Sequence, residues 1–268
     1  MATSFRTVLT DARATAIPHA RGRPSAAGIW ALGRIEARRM LLHPSFLIGM
    51  AFGVLMLRGA FGADGTGFDL AANLAWLTGG ALLGLFVATV LTANVAAIRP
   101  HRDHMQELFG ALPAPPETRT AGVFAGLLLG PVAVSVVIAA IASWTFGINE
   151  EIAPNIDLFL VIQIPLTVLA LGSIGIAIGR WVPSLLGGPV VIAVHVFTGI
   201  IWAAPWIQVT SSGIDRPRHA IYLFAAITTW VALAFARDRR TTTRFGIAVG
   251  ALALGVVMAI QQSPPGGY

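Results

Sequence analysis

Few polar side chains interrupt the apolar runs of this 268-residue chain, and Asn73, Asn94, Gln163, Ser173 and His195 are the ones placed to do chemistry there. An unpaired amide or imidazole in hydrocarbon costs several kcal/mol, so each marks a pathway or a bridge to a neighbouring helix. Asn94, Gln163 and His195 are the candidates for either role. His195 would suit a proton relay, because imidazole titrates near neutrality. No chain of carboxylates accompanies it, since all 12 acidic residues fall in tails, loops or the ends of apolar runs. Ser173 and His195 lie on consecutive runs and could serve as nucleophile and base of an intramembrane serine protease. Against this, "LGSIG" around Ser173 is not GxSxG and no oxyanion-hole donor is recognisable. The absence of Cys excludes disulfides, thiolate catalysis and cysteine-ligated metal. All 18 basic side chains are Arg, and without Lys there is no GxxxxGK[ST] phosphate loop. If the chain uses ATP, another chain hydrolyses it.

The elements that position these residues follow from composition. The chain is 56% hydrophobic and 11% charged, against roughly 25% charged in a soluble domain. Seven apolar runs, at about 41–62, 70–98, 121–147, 156–179, 185–209, 219–236 and 245–261, approach the ~20 residues a helix needs to cross hydrocarbon. The expected fold is all-α: a polytopic helical membrane protein with six to seven spans. The last run could instead be a helix lying in the interface after "RDRRTTTR". With the N-terminus cytoplasmic, 15 of the 18 arginines fall on inside segments, leaving Arg58, Arg216 and Arg218 outside. That bias sets orientation by the positive-inside rule. The formal charge of +6 is thus read as topology and headgroup anchoring to membrane lipid, not nucleic-acid binding. Much Ala, Gly, Arg and Pro with no Lys points to a GC-rich coding genome and a bacterial plasma membrane. Residues 1–27 read as a disordered cytoplasmic tail without a signal-peptide core, 28–262 as the membrane domain, and 263–268 as a short tail.

Two polar elements flank the first spans. From about 28 to 42, Ser25 is a possible cap and Ile29, Leu32, Ile35 or Glu36, and Met40 recur at helical spacing, with Arg34, Glu36, Arg38 and Arg39 on or near the polar side. With Trp30, these suit a helix along the inner leaflet that enters the membrane at His43-Pro44. The second is "RPHRDHMQELFGALPAPPETRT", residues 99 to 120. After Pro100, Met105, Leu108, Phe109 and Leu112 form one helical stripe, with Arg102, Asp103, Gln106 and Glu107 off it, and Pro113, Pro115 and Pro116 end it. A loop that only joined two spans could be far shorter. GxxxG-type spacing recurs at Gly80/Gly84, Gly175/Gly179 and Gly246/Gly250, but with 29 glycines chance supplies some pairs. The triple Gly122, Gly126 and Gly130 is the one read as a helix-packing face.

These features resemble the permease subunit of the ABC type 2 exporter family. The resemblance is carried by "GRIEARRMLLHPSF" before the first span, the long second span, and "RDHMQELFGALPAPPETR" after it, which fits the family's pattern at Arg102, Glu107, Leu108, Leu112, Pro113 and Arg119. It covers about residues 28 to 130, and the rest only by span count; the family usually has six spans. It implies that residues 102–112 are a coupling helix, with Arg102, Met105, Glu107, Leu108, Phe109 and Leu112 contacting an ATP-binding cassette subunit. It further implies no cofactor on this chain, ATP and Mg on the partner, a dimer with a second copy or a related permease, and export of a hydrophobic or amphipathic substrate. The alternative is a secondary carrier or channel not driven by ATP.

Overall fold

The computed structural model describes residues 25–61, 70–103, 115–147, 158–202 and 216–262. Every regular element among the described residues is a helix. α1 spans Ala26–Leu41 and starts at Ser25, whose hydroxyl accepts from the Gly28 N–H at 3.1 Å. That side chain satisfies a backbone donor the first turn cannot. Arg38 and Arg39 in its last turn suit the negative end of the helix dipole. The chain then breaks at His43, since a residue before proline is driven out of the helical region, and Pro44 opens α2, Pro44–Phe61.

α3 runs over 33 residues, Leu70–Arg102, and contains Pro100. The second run, expected to end near residue 98 ahead of a separate helix over 102–112, instead continues as one helix through Pro100 to Arg102. A proline one turn from a helix end removes a single hydrogen bond, and Ala96, Ala97 and Ile98 just before it are buried and hold the turn in place. Arg102 therefore rides on the last turn of this helix and does not begin a new one. The third apolar run forms α4, Pro116–Leu127, a π-helical segment Leu128–Val132 containing Pro131, and α5, Ala133–Gly147. α6 is Leu158–Trp181, α7 Gly187–Trp202, α8 Arg216–Asp238 and α9 Thr242–Gln262.

Five stretches are long and apolar enough to cross a membrane: Leu83–Arg102, Pro116–Ile141, Gln163–Trp181, Pro217–Asp238 and Thr242–Gln261, with a shorter apolar helix at Pro44–Leu55. The chain is a multi-pass helical membrane protein. α3 and α6 form its centre, and small residues let them meet: a Cβ on Gly175 would lie 2.6 Å from the Val90 carbonyl oxygen, and one on Gly179 2.8 Å from Ala97 Cβ. Around them Met40, Ala93, Phe124, Leu127, Ile176 and Ala234 bring α1, α4 and α8 into one core. Gly84 sits against Gly49 of α2 in the same way. The close approaches thus extend beyond the triple at 122, 126 and 130, whereas Gly246 and Gly250 face nothing within 4 Å.

α8 and α9 form an antiparallel hairpin. At one end Arg218 donates to the Gln261 carbonyl at 3.3 Å; at the other Arg244 donates to the Phe235 carbonyl at 2.6 Å. α9 therefore lies along the whole of α8. Its outer face, with Val249, Leu252, Val256 and Ile260, is exposed, as suits contact with lipid.

Candidate functional site

Apart from Arg216 and Arg218 at the start of α8, most charged residues of the described helices gather at one end of the bundle, where two buried carboxylates act as the joints. Glu36 of α1 has a side chain 8% exposed. Its Oε2 accepts from Arg99 of α3 at 2.7 Å and its Oε1 from Arg39, one turn on, at 3.0 Å. Sequence periodicity left Ile35 and Glu36 as rivals for the apolar stripe and put Glu36 by the polar side. In the structure Ile35 faces outward and Glu36 is buried with Gly33, Ala37 and Met40. The small side chains at 33 and 37 fit the surface of α4, and Arg99 supplies the charge that makes a buried carboxylate tolerable.

α1 is seated along α4. A Cβ on Gly126 would lie 2.7 Å from Glu36 Cβ and 3.1 Å from the Ala37 nitrogen; one on Gly130 would lie 3.3 Å from the Ala37 Cα. Gly122 lies under Leu32, and a Cβ on Gly33 would fall 2.6 Å from Ala125 Cβ. The glycine triple is thus the seat of α1. The arginines of this helix, Arg34, Arg38 and the Glu36 partner Arg39, are exposed, and Trp30 is half exposed.

The second joint is Asp238, the last residue of α8, with a side chain 1% exposed. It accepts from Arg180 near the end of α6 and from the Thr120 hydroxyl of α4. Three helices with no sequence proximity meet on one carboxylate, each with a further arginine close by or contributing one: Arg119 beside Thr120, Arg180 itself, and Arg237, whose guanidinium stands 6.0 Å from the Trp181 ring centre. Trp181 in turn donates its indole N–H to the Leu233 carbonyl at 2.9 Å. Arg244 of α9 reaches both the Phe235 carbonyl and, at 3.5 Å, Glu117 of α4. It caps the end of α8, where carbonyls lack helical partners.

His43 completes this end. Its Nδ1 accepts from the Ser45 N–H at 3.2 Å and its carbonyl accepts from Phe46 at 2.9 Å, so it caps α2. Burial first, then the positive charges of Arg99 and Arg102, hold its pKa below the usual histidine value.

Of the membrane-depth polar residues, Asn94 bridges helix to turn. Its Nδ2 donates to the Ser184 carbonyl in the α6–α7 connection at 3.2 Å, where Gly179, Gly187 and Gly188 leave it room. Gln163 is buried at 2% exposure, and among the described residues neither of its amide atoms has a hydrogen-bond partner. Ser173 is fully buried and donates to the Leu169 carbonyl of its own helix at 2.7 Å. His195 is carried on α7, and its side chain lies outside the described part of the structure. Arg102 is half exposed and pairs with Asp103 at 3.0 Å. Met105, Glu107, Leu108, Phe109 and Leu112 lie outside the described residues.

Sequence reasoning treated Arg99, Arg180 and Asp238 only as charges at span ends. The signal that could have singled out Asp238 is its position: an acid just past the end of an apolar run, in a stretch otherwise basic, "ARDRR". The arrangement is mechanical, a set of ion pairs that ties α1, α3, α4, α6, α8 and α9 together at one end. Among the described residues, no group of three His, Asp or Glu is placed to hold a metal. Comparison with protein-family models, with curated proteins and with solved structures finds no match to this chain.

Proposed function

We propose that this chain is the transmembrane subunit of an ATP-driven exporter of the ABC type 2 kind. It would move a hydrophobic or amphipathic substrate such as a drug, natural product or lipid, with ATP and Mg bound by a separate cassette subunit. The observation that supports this most is how the segment between Arg102 and Pro115 is anchored. On its N-terminal side Arg99 is fixed to Glu36 of α1; on its C-terminal side Thr120 is fixed to Asp238, and Glu117 faces Arg244. A force applied to that segment would therefore reach α1, α3, α4, α6, α8 and α9 at once, which is what a coupling element requires. The positive-inside bias makes this end cytoplasmic, with the N-terminus on the same side and a bacterial plasma membrane as the setting. The antiparallel α8–α9 hairpin favours seven spans, with the C-terminus opposite. The working unit would be a dimer with a second copy or a related permease.

A secondary carrier or channel is the second reading, and the Gln163 amide, without a hydrogen-bond partner among the described residues, favours it, since such an amide at membrane depth is suited to a polar solute. One experiment separates the two. The exporter reading expects the chain to copurify with an ATP-binding subunit, and replacing Glu107 and Leu108 to abolish transport while leaving expression intact. Full transport by the chain with no ATP-binding partner overturns it.

A further inference from the structure

The third apolar run is not one helix, and the position of its break relative to the α1 seat suggests what it does. α1 lies against this run from Gly122, which sits under the Leu32 side chain, to Gly126 of α4 and Gly130 of the π-helical segment, where an added Cβ would meet backbone atoms of Glu36 and Ala37. Two helices that touch backbone to backbone through glycines cannot slide or tilt independently. Within the last turn of that seam the hydrogen-bond ladder widens into the π-helical segment Leu128–Val132. Pro131 stands inside it, is buried, and has no N–H to give. A π turn with an internal proline is where a helical ladder is weakest and where helices bend. Ser135 on α5 donates its hydroxyl to the Val132 carbonyl at 2.6 Å, a side-chain-to-backbone bond of the kind that accompanies helix bends. On the outer side of the bend Leu128 and Leu129 are exposed, so no other described helix blocks motion in that direction.

Beyond the bend, α5 packs chiefly on α6. On the near side, the α1–α4 pair is held to the rest of the bundle at its charged end. Glu36–Arg99 ties it to α3, and Thr120–Asp238 ties it to α8. We infer that α1 and α4 form a single lever that swings about the π-helical segment at Pro131, with the Glu36–Arg99 ion pair as the latch that holds it closed against α3. Arg99 is 18% exposed, so water can reach the pair when it parts. This inference concerns how the bundle moves, and it stands whether ATP or a solute gradient drives the movement.

The sequence has no Cys, so a labelled pair can be introduced with no background thiol to remove. Ile35→Cys on the exposed face of α1 and Ile141→Cys on the exposed face of α5 place spin labels on either side of the bend. Pulsed-EPR distances are measured on the full-length chain in lipid nanodiscs. The unlatched variant Arg99→Gln is expected to raise a second distance population by roughly tenfold, as loss of a partly buried ion pair allows. Adding Pro131→Ala, which restores a donor and a regular ladder, is expected to return a single population without lowering the melting temperature. Arg99→Lys keeps the charge and is expected to stay close to the wild-type distribution, which separates unlatching from a general loss of folding. A distribution identical in wild type and Arg99→Gln overturns the latch. Two populations persisting in Pro131→Ala/Arg99→Gln overturn the hinge.

Discussion

Replacing Asp238 with Asn tests whether the charged end of the bundle is held by ion pairs or merely decorated with them. The substitution keeps the shape of the side chain and its ability to accept from Thr120, but removes the negative charge. Arg180 is then left with a guanidinium 14% exposed and the partner that neutralised it gone. Removing one member of a buried pair costs about 3–5 kcal/mol, mostly because the other charge remains where water cannot solvate it. Since Arg180 keeps some access to solvent, the lower end applies, about 3 kcal/mol. At 2–4 °C per kcal/mol for a chain of this size, the melting temperature falls by roughly 6–12 °C. Arg180→Gln removes the other partner and is expected to cost a similar amount. The two together should cost little more than either alone, because the second change removes the stranded charge that the first created. The assay is the fraction of detergent-solubilised protein that stays monodisperse after heating, measured for the four proteins of the cycle. Additive losses, or an Asp238→Asn protein within about 1 kcal/mol of wild type, would refute the view that this carboxylate joins three helices.

Further consequences follow from the same geometry. Gly126→Val forces a branched side chain into backbone atoms of α1 and should cost about 1–3 kcal/mol. Gly250→Ala, at a position with nothing within 4 Å, should leave the melting temperature unchanged or raise it slightly through helix propensity; equal losses at both sites would contradict the α1 seat. His43 accepts from Ser45 through an unprotonated Nδ1 and its pKa lies below the ordinary value of 6.5. The unfolded chain therefore takes up a proton near that value while the folded one resists. The contribution is present above about pH 6.5 and fades as pH falls from there toward the lower folded value. Melting at pH 7.5 and 5.5 should show a loss in wild type that is smaller in His43→Asn, which keeps a capping acceptor but does not titrate; parallel losses would remove His43 as the cause. Because α9 lies antiparallel along α8, a reporter enzyme fused after residue 268 should be active on the side of the membrane opposite residues 239–241, and activity on the same side would contradict a crossing α9.

How the exposed and buried parts of α1 divide illustrates what a linear reading can and cannot reach. The start at Ser25 and the break at His43-Pro44 depend on neighbours a few positions away, so both could be read directly from residue types. Which of Ile35 and Glu36 turned inward could not, because adjacent positions lie only 100° apart and the choice rests on Arg99, 63 residues further on. Hydropathy made Ile35 the better candidate, yet a carboxylate with a cation in reach and a glycine seat under its Cβ was better accommodated. Pro100 and Pro131 show the same division. Both are helix breakers by chemistry. One is absorbed in the last turn of α3 by the buried residues before it, and the other opens a π turn in mid-span beside the α1 seat.

By itself the sequence determined that this is a helical membrane protein, roughly where its helices run, and which stretches concentrate its arginines. Those properties are sums over consecutive residues, either apolar length against hydrocarbon thickness or charge counted segment by segment. Only the tertiary structure decided that Glu36 and Asp238 are buried joints, that the glycine triple is the seat of α1, and that α9 runs the full length of α8. Each of these depends on which helix ends meet, and a charge becomes a joint only when a partner from a distant part of the chain replaces the water it has lost.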